Sequence, residues 1–223
     1  MNLLAIDSST KSNGIAIYDG LRVRYECIWE RPTYHSEDLA PALQEALNRA
    51  SMKIGELGAV AVAIGPGSYN GLRSGLALAK GLAFAKGIDL IAVPTLDILA
   101  AGQPLQDLPM AAVLQAGRGR LAVGWYKVKK GKWVGDGKTS LMNLGELADA
   151  IHQPTIICGE LDEDARRALG RKYKNAVLAS AAWSLRRPGI LAELAWERWQ
   201  GGKIDSPTGL APIYLQAIEA VPA

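Results

Sequence analysis

A short glycine-rich segment is the part of this 223-residue chain that is best suited to hold an anion. It follows an apolar run at 59–64 and precedes a long apolar segment. Its members are Gly65, Pro66, Gly67, Ser68 and Tyr69. Free backbone N–H groups in such a loop can bind phosphate. The loop lacks the Lys-Ser/Thr pair of a P-loop and the spacing of a dinucleotide fingerprint, so a tight turn with close helix packing is the favoured interpretation.

Residues that could bind a metal or act as a nucleophile are few. The chain has two histidines and two cysteines, none of them at a short metal-ligand spacing. They are His35, His152, Cys27 and Cys158. Ser68 has Pro66 and Asn70 where a nucleophile elbow needs glycines. The sequence therefore predicts no metal site, no catalytic residue and no peptidase activity.

The composition is that of an ordinary folded protein. Apolar residues make up 49% and charged residues 21%, with a formal charge of +3. No apolar run is long enough to span a membrane, and the first residues do not resemble a signal peptide. Two cysteines make no disulfide framework. We expect a cytoplasmic protein without a membrane partner.

Hydrophobic patterns predict two α/β halves. In the first half, strands at 2–6, 14–18 and 21–29 precede a helix at 36–50, a strand at 59–64, a helix at 71–85 capped by Asn70, a strand at 89–93 and a short helix. The second half again begins with strands, at 111–115, 121–129 and 132–139. Helices at 144–151, 162–169 and 188–200 and a strand at 155–158 follow. This order predicts two related lobes with mixed sheets, residues 1–103 and 104–223, with the last segment packing back on the first lobe.

The predicted helix at 71–85 has small residues where most helices carry larger ones. Gly75 and Gly81 each cost about 0.5–1 kcal/mol relative to alanine. We expect close approach of another backbone to offset this cost. The approaching element could belong to this chain or to a second one.

Several segments together resemble the TsaB (YeaZ) family. They are AIDSST at 5–10, HSEDLAP at 35–41, GPGSYNGLRSG at 65–75, VPTLD at 93–97 and PIYL at 212–215. Asn70 replaces the usual threonine, and Ser74 an aliphatic residue. In the second half, the family's acidic residues are missing from Gln115–Leu121, so no role is transferred to that segment.

The resemblance implies an actin-like (ASKHA, RNase-H-like) two-lobed α/β fold. It also implies a non-catalytic subunit of the tRNA threonylcarbamoyladenosine machinery, which organises a catalytic TsaD-like subunit together with a TsaE-like ATPase. tRNA would be reached through the complex, and the free chain would form a homodimer. By this resemblance the first two helices form the partner interface. The residues predicted for it are His35, Leu39, Gly71, Arg73, Gly75, Leu78 and Leu82.

Two alternatives stay open at this point. Asp7, at the end of the first strand, stands where actin-like ATPases place an acidic residue near metal and phosphate. This position allows a stand-alone ATP-dependent enzyme, or ATP at or near the partner interface, although no cofactor is expected. Basic residues cluster at 127–132 and 166–174, where they could contact tRNA phosphates or form a solvated surface.

Overall fold

The computed structural model describes residues 1–30, 38–117, 119–172 and 174–215. These residues form ten strands and six α-helices in two five-stranded sheets. The elements of the first half are β1 Asn2–Asp7, β2 Ser12–Tyr18, β3 Val23–Glu30, α1 Leu39–Arg49, β4 Leu57–Ala63, α2 Tyr69–Lys86, β5 Asp89–Val93 and α3 Thr95–Ala101. Those of the second half are β6 Met110–Gln115, β7 Leu121–Lys129, β8 Lys132–Met142, α4 Leu144–Asp149, β9 Thr155–Gly159, α5 Glu163–Lys172, β10 Ala176–Leu178 and α6 Pro188–Gln200.

The two sheets have the same topology. Sheet 1 has the order β3-β2-β1-β4-β5, and sheet 2 has the order β8-β7-β6-β9-β10. In each, the first three strands pair antiparallel and the last two join in parallel. Parallel neighbours need helical crossovers, which α1, α2, α4 and α5 supply. This confirms the predicted actin-like, two-lobed α/β architecture.

Helices cover both faces of each sheet. On one face of sheet 1, α1 and α2 bury Leu43, Leu47 and Leu76 against the strands. The opposite face of sheet 1 is covered by α6, through Leu191, Ala192 and Ala195. Within the described ranges, no helix is long and apolar enough to cross a bilayer.

The third helix of each half packs against the other half. Leu96, Leu99 and Ala100 of α3 belong to the core of sheet 2. Since α6 lies on sheet 1, α3 and α6 are exchanged across the division predicted at residue 103. Each sheet is thus covered in part by a helix from the other half of the sequence.

Some sequence-based boundaries were wrong. The residue that caps α2 is Ser68, not Asn70; its Oγ accepts a hydrogen bond from Gly71 N at 3.4 Å, and the helix starts two residues earlier than predicted. β8 runs to Met142. β10, three residues long, was not predicted. Because β10 is so short, it gives no periodicity to read.

Candidate functional site

The glycine loop holds the segment that follows β1. Ser68 N donates a hydrogen bond to the carbonyl oxygen of Ser9 at 2.6 Å. A Cβ at Gly67 would overlap that same oxygen, so only glycine allows the two backbones to meet. At the other end of the loop, Gly65 N donates to Thr95 Oγ1 at 3.0 Å. The loop N–H groups of Gly65 and Ser68 are therefore used within the chain.

Gly71 and Gly75 face the same segment, on the buried side of α2. A Cβ at Gly71 would overlap Ser8 O, and a Cβ at Gly75 would overlap Ser8 Oγ. Ser8 Oγ donates to Gly71 O at 2.8 Å. The expectation that these glycines form part of an outward face is corrected: both are buried, and they allow α2 to approach the chain's own backbone.

The other predicted interface residues are divided between the two sides of their helices. Leu39 and Leu82 are buried in the core of sheet 1, and Leu78 is half-buried. They therefore hold α1 and α2 in place. Arg73 is exposed; it donates a hydrogen bond to Tyr69 OH, and its guanidinium carbon lies 5.1 Å from the centre of that ring. His35 lies outside the described residues.

The outward side of α2 carries residues that were not among those predicted for the interface. Ala77 and Gly81 are exposed, and a Cβ at Gly81 would meet no atom of the described residues within 4 Å. Phe84, one turn further on, has 89% of its surface exposed, and Tyr69 at the start of the helix has 56%. The sequence could have indicated this surface through Phe84, a large apolar residue that lies off the buried apolar stripe of α2.

A buried arginine joins the ends of both sheets. Arg186 is 4% exposed, and its Nε donates to Asp7 Oδ2 at 2.9 Å. Its Nη1 pairs with Glu160 Oε1, just after β9. Its Nη2 donates to Thr10 Oγ1 at 2.6 Å and to Ser12 O at 3.0 Å. We call Arg186, Asp7, Glu160 and Thr10 the arginine clamp.

The electrostatics of the clamp favour a permanently charged arginine. Burial opposes the charge, but the carboxylates of Asp7 and Glu160 outweigh it and raise the pKa of Arg186 above its usual value. The remaining oxygen of Asp7, Oδ1, accepts from Ser9 N at 2.9 Å and from Ser9 Oγ. The carboxylate of Asp7, which was considered as a site for metal and phosphate, is thus already paired with a cation and hydrogen-bonded within the chain. No spacing in the sequence connects these distant residues.

A cleft of about 1060 Å³ lies between the two sheets, beside the clamp. Lys11, Glu30, Tyr69 and Asp162 line it, together with part of the divergent segment Gln115–Leu121. In the described ranges no three His, Cys, Asp or Glu side chains are grouped as a metal site would require. The basic residues at 127–132 lie on the β7–β8 hairpin, and those at 166–172 lie on α5.

Comparison with known proteins identifies the family. A protein-family model described as "TsaD: tRNA N6-adenosine threonylcarbamoyltransferase" matches residues 31–180. The tRNA threonylcarbamoyladenosine biosynthesis protein TsaB of Bacillus subtilis is 33% identical over 99% of this chain and 96% of its own length. The chain belongs to the TsaB (YeaZ) family. The recognition made from the glycine loop and the flanking motifs is confirmed.

Solved structures agree with this TsaB-family assignment. A crystal structure of a Pseudomonas aeruginosa protein, described as similar to the peptidase YeaZ, has a TM-score of 0.80 and 26% identity, covering 96% of this chain and 99% of that one. The ROK hexokinase of Thermus thermophilus has a TM-score of 0.50 at 12% identity, covering 91% of this chain and all of that one. The second likeness concerns the fold alone.

Proposed function

We propose that this chain is a non-catalytic subunit of the tRNA threonylcarbamoyladenosine machinery that binds and organises a TsaD-like catalytic subunit. Family membership supports a part in this modification. The observation that carries the scaffold role is the outward side of α2. There an exposed phenylalanine stands beside the small residues Ala77 and Gly81 on a rigid, well-anchored helix.

The chemistry of that side suits a protein partner. Ala77 and Gly81 let another helix approach closely, and Phe84 is a large apolar side chain with most of its surface in water. Aromatic residues that become buried at an interface often carry much of the binding free energy. The proposed surface therefore consists of Tyr69, Arg73, Ala77, Gly81 and Phe84. A homodimer of the free chain, and contact with a TsaE-like ATPase, are further parts of this proposal.

The arginine clamp favours the scaffold over a stand-alone ATP-dependent enzyme. Magnesium and phosphate at the end of β1 would need the carboxylate of Asp7, which is 3% exposed and paired with Arg186. Freeing it would leave a buried arginine short of a counter-charge, which is costly. We therefore expect no tight binding of Mg-ATP to the isolated chain.

The deciding variant is Phe84→Asp. A charge within a contact that excludes water should weaken the complex with the TsaD-like subunit by about thirtyfold or more, the effect of losing roughly 2 kcal/mol at a hot spot. Isothermal titration calorimetry with the purified subunits gives the Kd, and reconstituted modification of tRNA shows the consequence for activity.

Leu105→Asp is the matched control. Leu105 is also an exposed apolar residue, at 54%, but it lies in the loop that joins α3 to β6 and not on α2. It should leave the Kd unchanged. Unchanged affinity of the Phe84→Asp protein, with its circular dichroism intact, would place the partner elsewhere and overturn the proposed surface.

A further inference from the structure

The β7–β8 hairpin holds the whole positive excess of the chain. Residues 126–142 contain five lysines and one aspartate, a local charge of +4, whereas the full chain carries only +3. All other residues together thus sum to −1. The lysines are Lys127, Lys129, Lys130, Lys132 and Lys138.

These lysines are exposed and mostly without acidic partners. Lys132 pairs with Glu197 of α6 at 2.6 Å, between two side chains that are largely in water. Among the described residues, the other four make no salt bridge. Lys127 and Lys129 are two apart on β7 and so point to the same side of the hairpin. Lys132 stands directly opposite Lys129 in the ladder, a like-charge pair that opposes folding.

The tip of the hairpin has a lysine where another residue would fit better. Lys130 and Gly131 form the two-residue turn, with φ of 49° and 72°. Turns with two positive φ values favour Asn-Gly, Asp-Gly or Gly-Gly, because most side chains resist this conformation. The hairpin therefore carries charge at two positions, Lys129 and Lys130, where folding stability would favour another residue.

We infer that this hairpin is a docking surface for the phosphate backbone of RNA. Clustered, unpaired lysines suit a polyanion, whereas the centres of protein interfaces are poor in lysine and rich in aromatic residues. The aromatic side chain nearest the tip does not face outward: Trp133 packs against the core of sheet 2, and its Nε1 donates to Gln103 O at 3.2 Å. The inference rests on the proposed part in tRNA modification, which makes RNA the relevant polyanion.

The hairpin and the proposed partner surface lie on opposite sides of sheet 1. Lys132 reaches Glu197 of α6, and α6 covers the face of sheet 1 that is opposite to α1 and α2. RNA on the hairpin and a protein on α2 would not compete for the same residues. Variants of one surface can therefore leave the other intact.

The test uses the triple variant Lys127→Gln, Lys129→Gln and Lys130→Asn. Binding of an unmodified tRNA transcript is measured by fluorescence anisotropy over a series of salt concentrations, for the full chain alone and in complex with the TsaD-like subunit. We expect at least about a tenfold loss of affinity, and a slope of log K against log salt that is smaller by about 2, for three lost phosphate contacts.

The control carries the same charge change at scattered sites. Arg22→Gln, Lys53→Gln and Lys203→Gln alter three exposed basic residues outside both basic clusters, and the loss of affinity should stay below about threefold. Equal losses of tRNA affinity in the two triple variants would show that only the net charge of the chain matters, and they would overturn the docking surface. Wild-type affinity and slope in the hairpin variant would overturn it as well.

Lys130→Asn separates folding from binding. Asparagine adopts the positive φ of this position more readily, so the urea midpoint should rise or stay constant while tRNA affinity falls about threefold. Unchanged affinity would contradict the inference. A hairpin variant that lost the TsaD-like subunit but kept tRNA would identify a protein surface instead. If the wild-type subunits do not associate, the proposed function fails, and the titration of the chain alone still decides the RNA surface.

Discussion

The two halves of this protein have one strand order but different surfaces. In the first half, β4 leads through the glycine loop into α2, which is 18 residues long and presents small and aromatic residues to solvent. In the second half, β9 leads into α5, which is 10 residues long, and the excess of positive charge lies on the hairpin of β7 and β8. The same topology thus supports a helix face of mostly small and aromatic residues on one lobe and a basic hairpin on the other.

The two crossover helices also differ in how closely they approach the neighbouring backbone. Gly71 and Gly75 bring α2 against the backbone that follows β1. In α5 no such close approach occurs among the described residues: a Cβ at Gly170 would lie at an ordinary 3.6 Å from Leu178 Cδ1. Close packing of its crossover helix thus distinguishes the lobe that we propose as the partner-binding one. The predictions below test this contrast and the clamp that joins the lobes.

The largest effect is expected from Arg186→Met. Removing the cation leaves Asp7 and Glu160 facing each other across the cleft, and breaking a buried ion pair typically costs about 3–5 kcal/mol. The measurement is the free energy of unfolding in urea. Arg187→Met is the neighbouring control, because the Arg187–Glu26 pair is largely exposed on the arginine side and should contribute about 0–1 kcal/mol. Equal losses would show that the clamp does not hold the lobes together.

A smaller effect is expected from Gly71→Ala. The added methyl group would overlap Ser8 O, and such overpacking costs about 1–3 kcal/mol. Gly81→Ala lies ten residues on in the same helix, has free space, and should stabilise the protein by about 0.5–1 kcal/mol. Thermal unfolding followed by circular dichroism compares the two. Stabilisation by both would contradict the close approach of α2.

The contrast between these glycines corrects a hypothesis drawn from the sequence. The family resemblance placed Gly71 and Gly75 among the residues of the partner interface. In the structure Gly75 abuts Ser8, so Gly75→Leu is expected to disrupt the fold itself. Partner binding is better probed at Phe84.

The smallest effect concerns alkaline pH and the second lobe. Burial raises the pKa of Cys158 to about 12, and burial together with Asp97 raises the pKa of Tyr126. In the unfolded chain the thiol loses its proton near pH 9, whereas in the folded chain it stays neutral, so stability falls as pH rises above 9. Melting temperatures at pH 8 and above pH 10 measure this drop in stability.

Cys158→Val is the variant for the alkaline experiment. It removes the ionisable thiol from the core of sheet 2 and should flatten the fall of the melting temperature with pH, leaving the contribution of Tyr126. An unchanged slope in this variant would place the alkaline sensitivity elsewhere. Cys27→Val is the control variant, because Cys27 on β3 is only half-buried.

Local pattern predicted much of the fold. Apolar runs located the strands, and the three N-terminal strands joined by hairpins pointed to the mixed sheet. The glycine loop and its flanking motifs were sufficient to recognise the TsaB (YeaZ) family. The exchange of α3 and α6 could not be predicted from the sequence, because the apolar face of a helix shows that it packs against a core but not which sheet it covers.

The site was less accessible to sequence reasoning. Asp7 stood out by its position after β1, but its partner Arg186 lies 179 residues further along the chain. Arg186 stands just before a predicted helix, and a charged residue in such a position is normally expected on the surface. Likewise, helical spacing placed Gly71 and Gly75 on one side of α2 without showing that Ser8 fills the space beside them.

The exchanged helices have a consequence for synthesis on the ribosome. All five strands of sheet 1 have been translated once β5 is complete, but the helix that covers one of its faces, α6, begins only at Pro188. At about 5–20 residues per second, the apolar face formed by Leu3, Ala5 and Ile91 stays uncovered for roughly 5–20 s. The nascent first lobe therefore exposes apolar surface during much of the synthesis of the chain, and this face is covered only when the chain is almost finished.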